Sequence, residues 1–237
     1  MFRLLALILA TVIAVGCKTN VDKPSVTYKG IAVDRHESEI EAFRDADSVN
    51  PPEAGAIVFT GSSSIRMWST LEQDMSPLRV VNRGFGGSTI PEVNNYFDDL
   101  IFPHDPSLVV FYCGENDLNE DKVNQELALD AFKEFLGLFS SNYPKTELIY
   151  LSKKPSVARW DKWAKMKSGN DYFKEYLTHF PNYHYLDISE TMLLPSGQPD
   201  STIFIEDMLH MNTEGYARWT TIIKPYIQKL LNKERAG

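Results

Sequence analysis

The chain has 237 residues, 43% of them hydrophobic and 24% charged, with 24 basic against 32 acidic side chains and a formal charge of −8. This composition excludes intrinsic disorder, and the acidic balance lacks the basic footprint of a nucleic-acid binder. Two cysteines without a Cys-x-x-Cys pair exclude a disulfide scaffold and a cysteine-based zinc site, and the length suits one α/β domain.

Arg3, the apolar run Leu4 to Val15 and the small residues Ala14 and Gly16 predict a secretory signal peptide over residues 1–16. The run of about a dozen residues is shorter than the ~20 that span a bilayer as a helix. Cys17 directly after the cut resembles the lipobox cysteine of bacterial lipoproteins, with Ala14 where that pattern prefers leucine. The resemblance implies a diacylated Cys17, and two or three acyl chains exceed the one-chain threshold for stable anchoring. The expected product is exported and lipid-anchored to a bacterial membrane, facing the periplasm or cell surface. A soluble secreted protein is the alternative. Residues 17–30 read as a polar tether and 31–237 as a single domain.

Within that domain His36 to Asp47 reads as a surface helix carrying Ile40 and Phe43, ended by Pro51-Pro52. Ala56 to Thr60 is a continuous apolar run, the pattern of a buried parallel strand. Gly61 and three serines follow, then a helix through Trp68. Arg79 to Asn82 predicts a second strand leading into Gly84-Phe85-Gly86-Gly87, and Thr89, Pro91 and Glu92 predict a capping box at the next helix. Ser107 to Cys113 is the third strand. Lys122 to Asn142 is a helix with Leu127, Ala131, Phe135 and Leu138 inward. Glu147 to Ser152 is the fourth strand. Trp160 to Phe180 is helical, with Ser168-Gly169-Asn170 as the point where it could break. Tyr183 to Ile188 is the fifth strand, and a last helix from Thr213 aligns Tyr216, Trp219, Ile223, Ile227 and Leu230. Alternating strands and helices predict a three-layer α/β/α sandwich around a five-stranded parallel sheet, with the site beyond the carboxyl ends of the strands.

Four blocks sit at those ends: Gly61-Ser62-Ser63-Ser64, Gly84-Phe85-Gly86-Gly87, Gly114-Glu115-Asn116-Asp117 and Asp207-Met208-Leu209-His210. In this order they resemble the SGNH hydrolases, the GDSL-type esterases and lipases, over about 55–225. The resemblance implies a flavodoxin-like fold and a serine esterase needing no metal or cofactor, with a small-molecule or glycan ester as substrate, acetyl esters of glycans and lipid-like esters among them. Acyl transfer needs a nucleophile, a base, a group to orient the base and donors for the oxyanion. Of five histidines, His210 alone reads as having a carboxylate spaced to orient its ring. That carboxylate is Asp207, and imidazole titrating near ~6.5 suits a general base. His36, His104, His179 and His184 read as structural. The family places the nucleophile two residues after its glycine, at Ser63, while Ser62 replaces the motif's aspartate. Ser62 or Ser64 reads as a helix cap, and these two are the alternatives to Ser63 as nucleophile. The oxyanion donors implied are the Ser63 and Gly87 amides and the Asn116 side chain, and Gly84 and Gly86 read as turn glycines.

Glu115 and Asp117 read as loop structure rather than a glycosidase pair or metal site. Lys153, Lys154, Pro155, Ser156 and Arg159, with Trp160 and Trp163, read either as lining of the site's mouth or as a solvated basic helix start. An acyltransferase with the same triad and a non-catalytic surface module are the other readings. A dinucleotide site at Arg79 to Gly87 fails because Thr89 occupies the last motif position, and no Gly-x-Ser-x-Gly elbow occurs.

Overall fold

In the computed structural model of the protein, residues 27–119 and 123–236 are described. The expected signal peptide, Cys17 and the tether up to residue 26 lie outside them. Among the described residues no helix is long and apolar enough to cross a membrane. The last tether residues belong to a short hairpin, in which β1 (Thr27–Tyr28) pairs antiparallel with β2 (Ile31–Ala32).

The main chain then runs through α1 (Glu37–Val49), β3 (Ile57–Gly61), α2 (Ser63–Arg66), α3 (Leu71–Met75) and β4 (Val80–Gly84). It continues through α4 (Ile90–Asn95), α5 (Phe97–Ile101), β5 (Leu108–Tyr112), α6 (Glu115–Asn119) and α7 (Gln125–Asn142). It closes with β6 (Glu147–Leu151), α8 (Trp163–Leu177), β7 (Tyr183–Leu186) and α9 (Thr213–Ala236). Strands β3 to β7 form one parallel sheet in the order β4-β3-β5-β6-β7. This is the flavodoxin-like order, whose topological switch point lies between β3 and β5.

Both faces of the sheet are covered. Along β3 the side chains alternate, Val58 joining one apolar cluster and Ile57 and Phe59 the other. The first cluster holds Ile40 of α1, Ile90 and Val93 of α4, Phe97 of α5, Phe132 and Phe135 of α7 and Phe173 of α8. The second holds Ile65 of α2, Leu71 of α3 and the whole expected stripe of α9 from Tyr216 to Leu230. Each fully buried Phe, Leu or Ile contributes roughly 1.5–3 kcal/mol relative to exposure.

Three local expectations change. In α7, Leu138 is exposed, and Phe132, Leu136 and Phe139 are buried instead. The helix packs against α4 and α8 as well as against the sheet, so its apolar face is wider than a single i, i+3, i+4 line. α8 runs unbroken through Gly169-Asn170. A Cβ on Gly169 would come within 2.5 Å of Leu118 Cδ1, and Asn170 Oδ1 accepts from Lys153 N at 2.8 Å. Those residues serve helix packing and a loop clamp rather than a break. Gly84 ends β4 and is not a turn residue; its missing Cβ lets α2 approach, since one there would meet Arg66 N at 2.4 Å.

Candidate active site

The serine block sits where it does because of Gly61. Its φ is +122°, and a Cβ there would meet the Tyr112 carbonyl oxygen at 1.9 Å. Only glycine allows the chain to leave β3 directly across the end of β5. Ser62 N then donates to Tyr112 O at 2.9 Å, and Phe85 N donates to Gly61 O at 3.1 Å, tying β3, β4 and β5 together at their carboxyl ends. Ser62 takes the N-cap position of α2 in an extended conformation but makes no side-chain cap bond. Ser63 opens the helix, and Ser64 is buried with its carbonyl accepting from Tyr216 Oη at 3.0 Å.

His210 reaches the same place from the far end of the chain. A tight turn with Met208 at φ +55° brings Asp207 back onto it. Ile205 N donates to His210 O at 2.9 Å, and Ala158 N donates to Met208 O at 3.0 Å, fixing the turn to the loop after β6. Asp207 Oδ2 lies 2.6 Å from His210 Nδ1, and His210 Nε2 lies 2.8 Å from Ser63 Oγ. Asp207 Oδ1 accepts from the amides of Leu209 and His210 at 2.9 and 2.8 Å. Partial burial alone would raise the Asp207 carboxyl. The bonds from the His210 ring and these two amides outweigh that and hold it below the ordinary range. The arrangement can take a proton from Ser63 and hold the resulting imidazolium against a carboxylate.

The expectation that His210 alone finds a carboxylate does not hold. His36 Nδ1 lies 3.2 Å from Glu39 Oε1, and His184 Nε2 lies 2.6 Å from Glu147 Oε2. The latter pair joins neighbouring strands that are 37 residues apart in the chain, so spacing could not show it. What sets His210 apart is a serine hydroxyl at its other nitrogen. His104 is buried and accepts from Arg83 Nε at 2.6 Å; burial, then the adjacent guanidinium, lowers it to about 4.

Gly87 and Asn116 meet across the switch point. A Cβ on Gly87 would have Asn116 Nδ2 as its nearest neighbour, at 3.7 Å. A side chain there would occupy the space beside the amide rather than clash with backbone. Asn116 Nδ2 donates to Ser88 O at 3.0 Å. The Thr89–Glu92 capping box forms, and Glu92 also pairs with Arg35, whose Nη2 donates to Gly87 O at 2.9 Å. Cys113 packs beneath, its Sγ 3.4 Å from Ser88 O; burial pushes its thiol far up and keeps it inert.

Glu115 and Asp117 are not loop residues. They begin α6 and are buried, as are Lys153 and Lys154, so of the two readings of that basic segment the solvated helix start does not hold. Lys154 Nζ and Arg159 Nη1 each donate to Glu115 at 2.9 Å, and Tyr112 Oη donates to it at 2.5 Å. Burial would raise Glu115; the two cations reverse that and hold it below its usual range. Arg159 Nη2 also donates to Asn116 Oδ1 at 2.8 Å. Sequence reasoning offered the basic segment as lining of the site's mouth but missed its pairing with Glu115 and Asn116, for which the signal was a basic segment and an acidic one each following a strand.

Asp117 secures the next loop by accepting from Ile90 N at 3.1 and 3.2 Å, while burial raises its carboxyl to about 7. Folding therefore favours proton uptake here. The contribution is full below the ordinary 3.8 and is lost as pH rises through about 7. Asp117→Asn keeps an oxygen for Ile90 and removes the titration. Denaturant unfolding from about pH 4 to about pH 7 should show wild-type stability falling relative to Asp117→Asn, and a constant difference would contradict the assignment.

A model of the GDSL-like lipase/acylhydrolase family matches residues 52–218. Solved structures share the fold at low identity. A protein from Streptococcus pneumonia, provisionally named a platelet activating factor, has a TM-score of 0.73 at 20% identity, over 81% of this chain and 92% of its own. A GDSL-like lipase from Bacteroides thetaiotaomicron has a TM-score of 0.68 at 20% identity, over 81% and 98%. A carbohydrate esterase family 3 protein from Talaromyces cellulolyticus has a TM-score of 0.57 at 14% identity, over 77% and 99%. No curated relative matches the chain. The matched span runs from just before β3 into α9, taking in the whole sheet and all four strand-end blocks, and on that ground the chain belongs to the GDSL-like lipase/acylhydrolase (SGNH) family and is an ester hydrolase.

Proposed function

We propose that the protein cleaves a carboxylic ester of a small molecule or glycan through an acyl-Ser63 intermediate. The observation that carries this is the continuous chain from Ser63 Oγ through His210 to Asp207, at 2.8 and 2.6 Å. Ser63 Oγ attacks the ester carbonyl as His210 Nε2 takes its proton. The tetrahedral oxyanion is stabilised by the Ser63 and Gly87 amides and by Asn116 Nδ2. Collapse expels the alcohol, which receives the proton from His210. Water, deprotonated by the same nitrogen, then attacks the acyl-serine and releases the acid. Asp207 holds Nδ1–H, so that Nε2 is the free base. A glycan ester is supported by the resemblance to the Talaromyces cellulolyticus carbohydrate esterase.

Steady-state hydrolysis of a short-chain aryl ester tests the assignment. His210→Ala should lower kcat by roughly 10⁴–10⁶. Asp207→Asn should cost one or two powers of ten less, on the order of 10³–10⁴, because the ring stays while its tautomer is lost. Equal losses would mean that Asp207 does more than orient, and unimpaired His210→Ala would end the reading.

A further inference from the structure

We propose that Arg159 is a positioning residue for the oxyanion site, which it serves by fixing and polarising the Asn116 amide. The inference rests on the oxyanion role given to Asn116 above. Each end of that amide has one chemically unambiguous partner. Arg159 Nη2 donates to Asn116 Oδ1 at 2.8 Å, and Asn116 Nδ2 donates to Ser88 O at 3.0 Å. A guanidinium has no acceptor and a carbonyl has no donor. Turning the amide over would set NH₂ against guanidinium and oxygen against oxygen, so only one orientation survives. In that orientation the second Nδ2 hydrogen is left for the open space that the absent Gly87 side chain provides.

Arg159 is held in turn. Its Nη1 donates to Glu115 Oε1 at 2.9 Å, with the Arg159 side chain 16% exposed and that of Glu115 4%. Lys154 Nζ and Tyr112 Oη take the other oxygen, Glu115 Oε2. The guanidinium therefore spans two adjacent residues of α6, the buried Glu115 and the amide-bearing Asn116. Donation to Oδ1 draws electron density from the amide and makes its N–H a stronger donor, an effect that grows in a site of low dielectric. Lysine presents one compact charge and cannot bridge both acceptors in the same way.

The experiment is a kinetic cycle with Arg159→Lys, Arg159→Ala and Asn116→Ala, singly and combined, on a short-chain aryl ester. Melting curves identify the folded variants. Arg159→Lys retains a cation for Glu115, so the cycle can be closed if Arg159→Ala does not fold. Asn116→Ala should lose ~10²–10³ in kcat, the usual cost of one oxyanion donor. Arg159→Lys and Arg159→Ala should lose ~10–10² in kcat, with KM within about threefold. In the Asn116→Ala background the same Arg159 changes should cost less than about threefold, because the group they act through is gone. An impaired Asn116→Ala with unchanged Arg159 variants overturns this inference alone. So does an equal Arg159 cost in both backgrounds, or an effect confined to KM, which would make Arg159 a substrate contact. Wild-type kcat in Asn116→Ala overturns the oxyanion reading itself, and this inference with it.

Discussion

Ser63→Ala is expected to lower kcat/KM for short-chain aryl esters by at least ~10⁴, about 5.5 kcal/mol of transition-state stabilisation, while the melting temperature stays within a degree or two. The asymmetry follows from what the hydroxyl touches. Ser63 Oγ faces His210 Nε2 at 2.8 Å, at the first position of α2. Alanine is the best helix former and fills all of serine but one oxygen, so its loss opens no cavity of consequence. Ser62→Ala and Ser64→Ala supply the contrast. Both side chains are buried, and Ser62 stands at the N-cap without making the cap bond that its type usually makes. Their removal should leave activity within about tenfold, since neither carries the proton relay. Full activity in Ser63→Ala, with loss in Ser62→Ala, would move the nucleophile by one residue.

Glu115→Ala is expected to be the most damaging single change to stability outside the apolar core, at about 3–5 kcal/mol. In a chain of this size that corresponds to a fall of roughly 6–20 °C in the melting temperature. The Lys154 side chain is 1% exposed and lies 2.9 Å from Glu115 Oε2. Without the carboxylate its ammonium has lost its closest counter-charge in a place water does not reach. Burial already lowers the Lys154 pKa, and Glu115 is the first group opposing that shift. Removing Glu115 therefore drives it lower still. A depressed lysine pKa means that the native state holds fewer protons than the unfolded chain, so the deficit should shrink as pH rises. Adding Lys154→Met to Glu115→Ala should recover much of the loss, because an apolar pair replaces an unpaired charge. A double variant less stable than Glu115→Ala would show that the ion pair is not the source of the effect.

Much of the fold was legible because its signals are local. Short segments rich in apolar, β-branched and aromatic residues marked the five sheet strands, and the α9 stripe from Tyr216 to Leu230 is buried as its spacing implied. Strand alternation with helices implied a parallel sheet, and a parallel sheet places its loops where Ser63, Gly87, Asn116 and His210 lie. The departures came where burial depends on a second element. Leu138 faces outward because the sheet, α4 and α8 together take a different face of α7. Lys153 and Lys154 look like solvent residues in any window of sequence, yet the loop after β6 turns inward beneath α6 and α8.

The sequence by itself determined the alternation of strands and helices, the four strand-end blocks and the family to which the chain belongs, because each of these lies within a short window. Only the tertiary structure decided which of those windows meet. Ser63 and His210 are 147 positions apart, and Asn116 and Arg159 are 43 apart. Asn116 and Arg159 touch because β5 and β6 lie side by side in level register, and Ser63 joins them from β3 on the other side of β5, while His210 arrives from beyond β7 on a turn tied to the loop after β6. Strand order and register come from long-range packing of whole sheet faces. No local periodicity encodes that packing, and it is why Glu115, read as loop structure, and Arg159, read as mouth lining or a helix start, meet each other and Asn116.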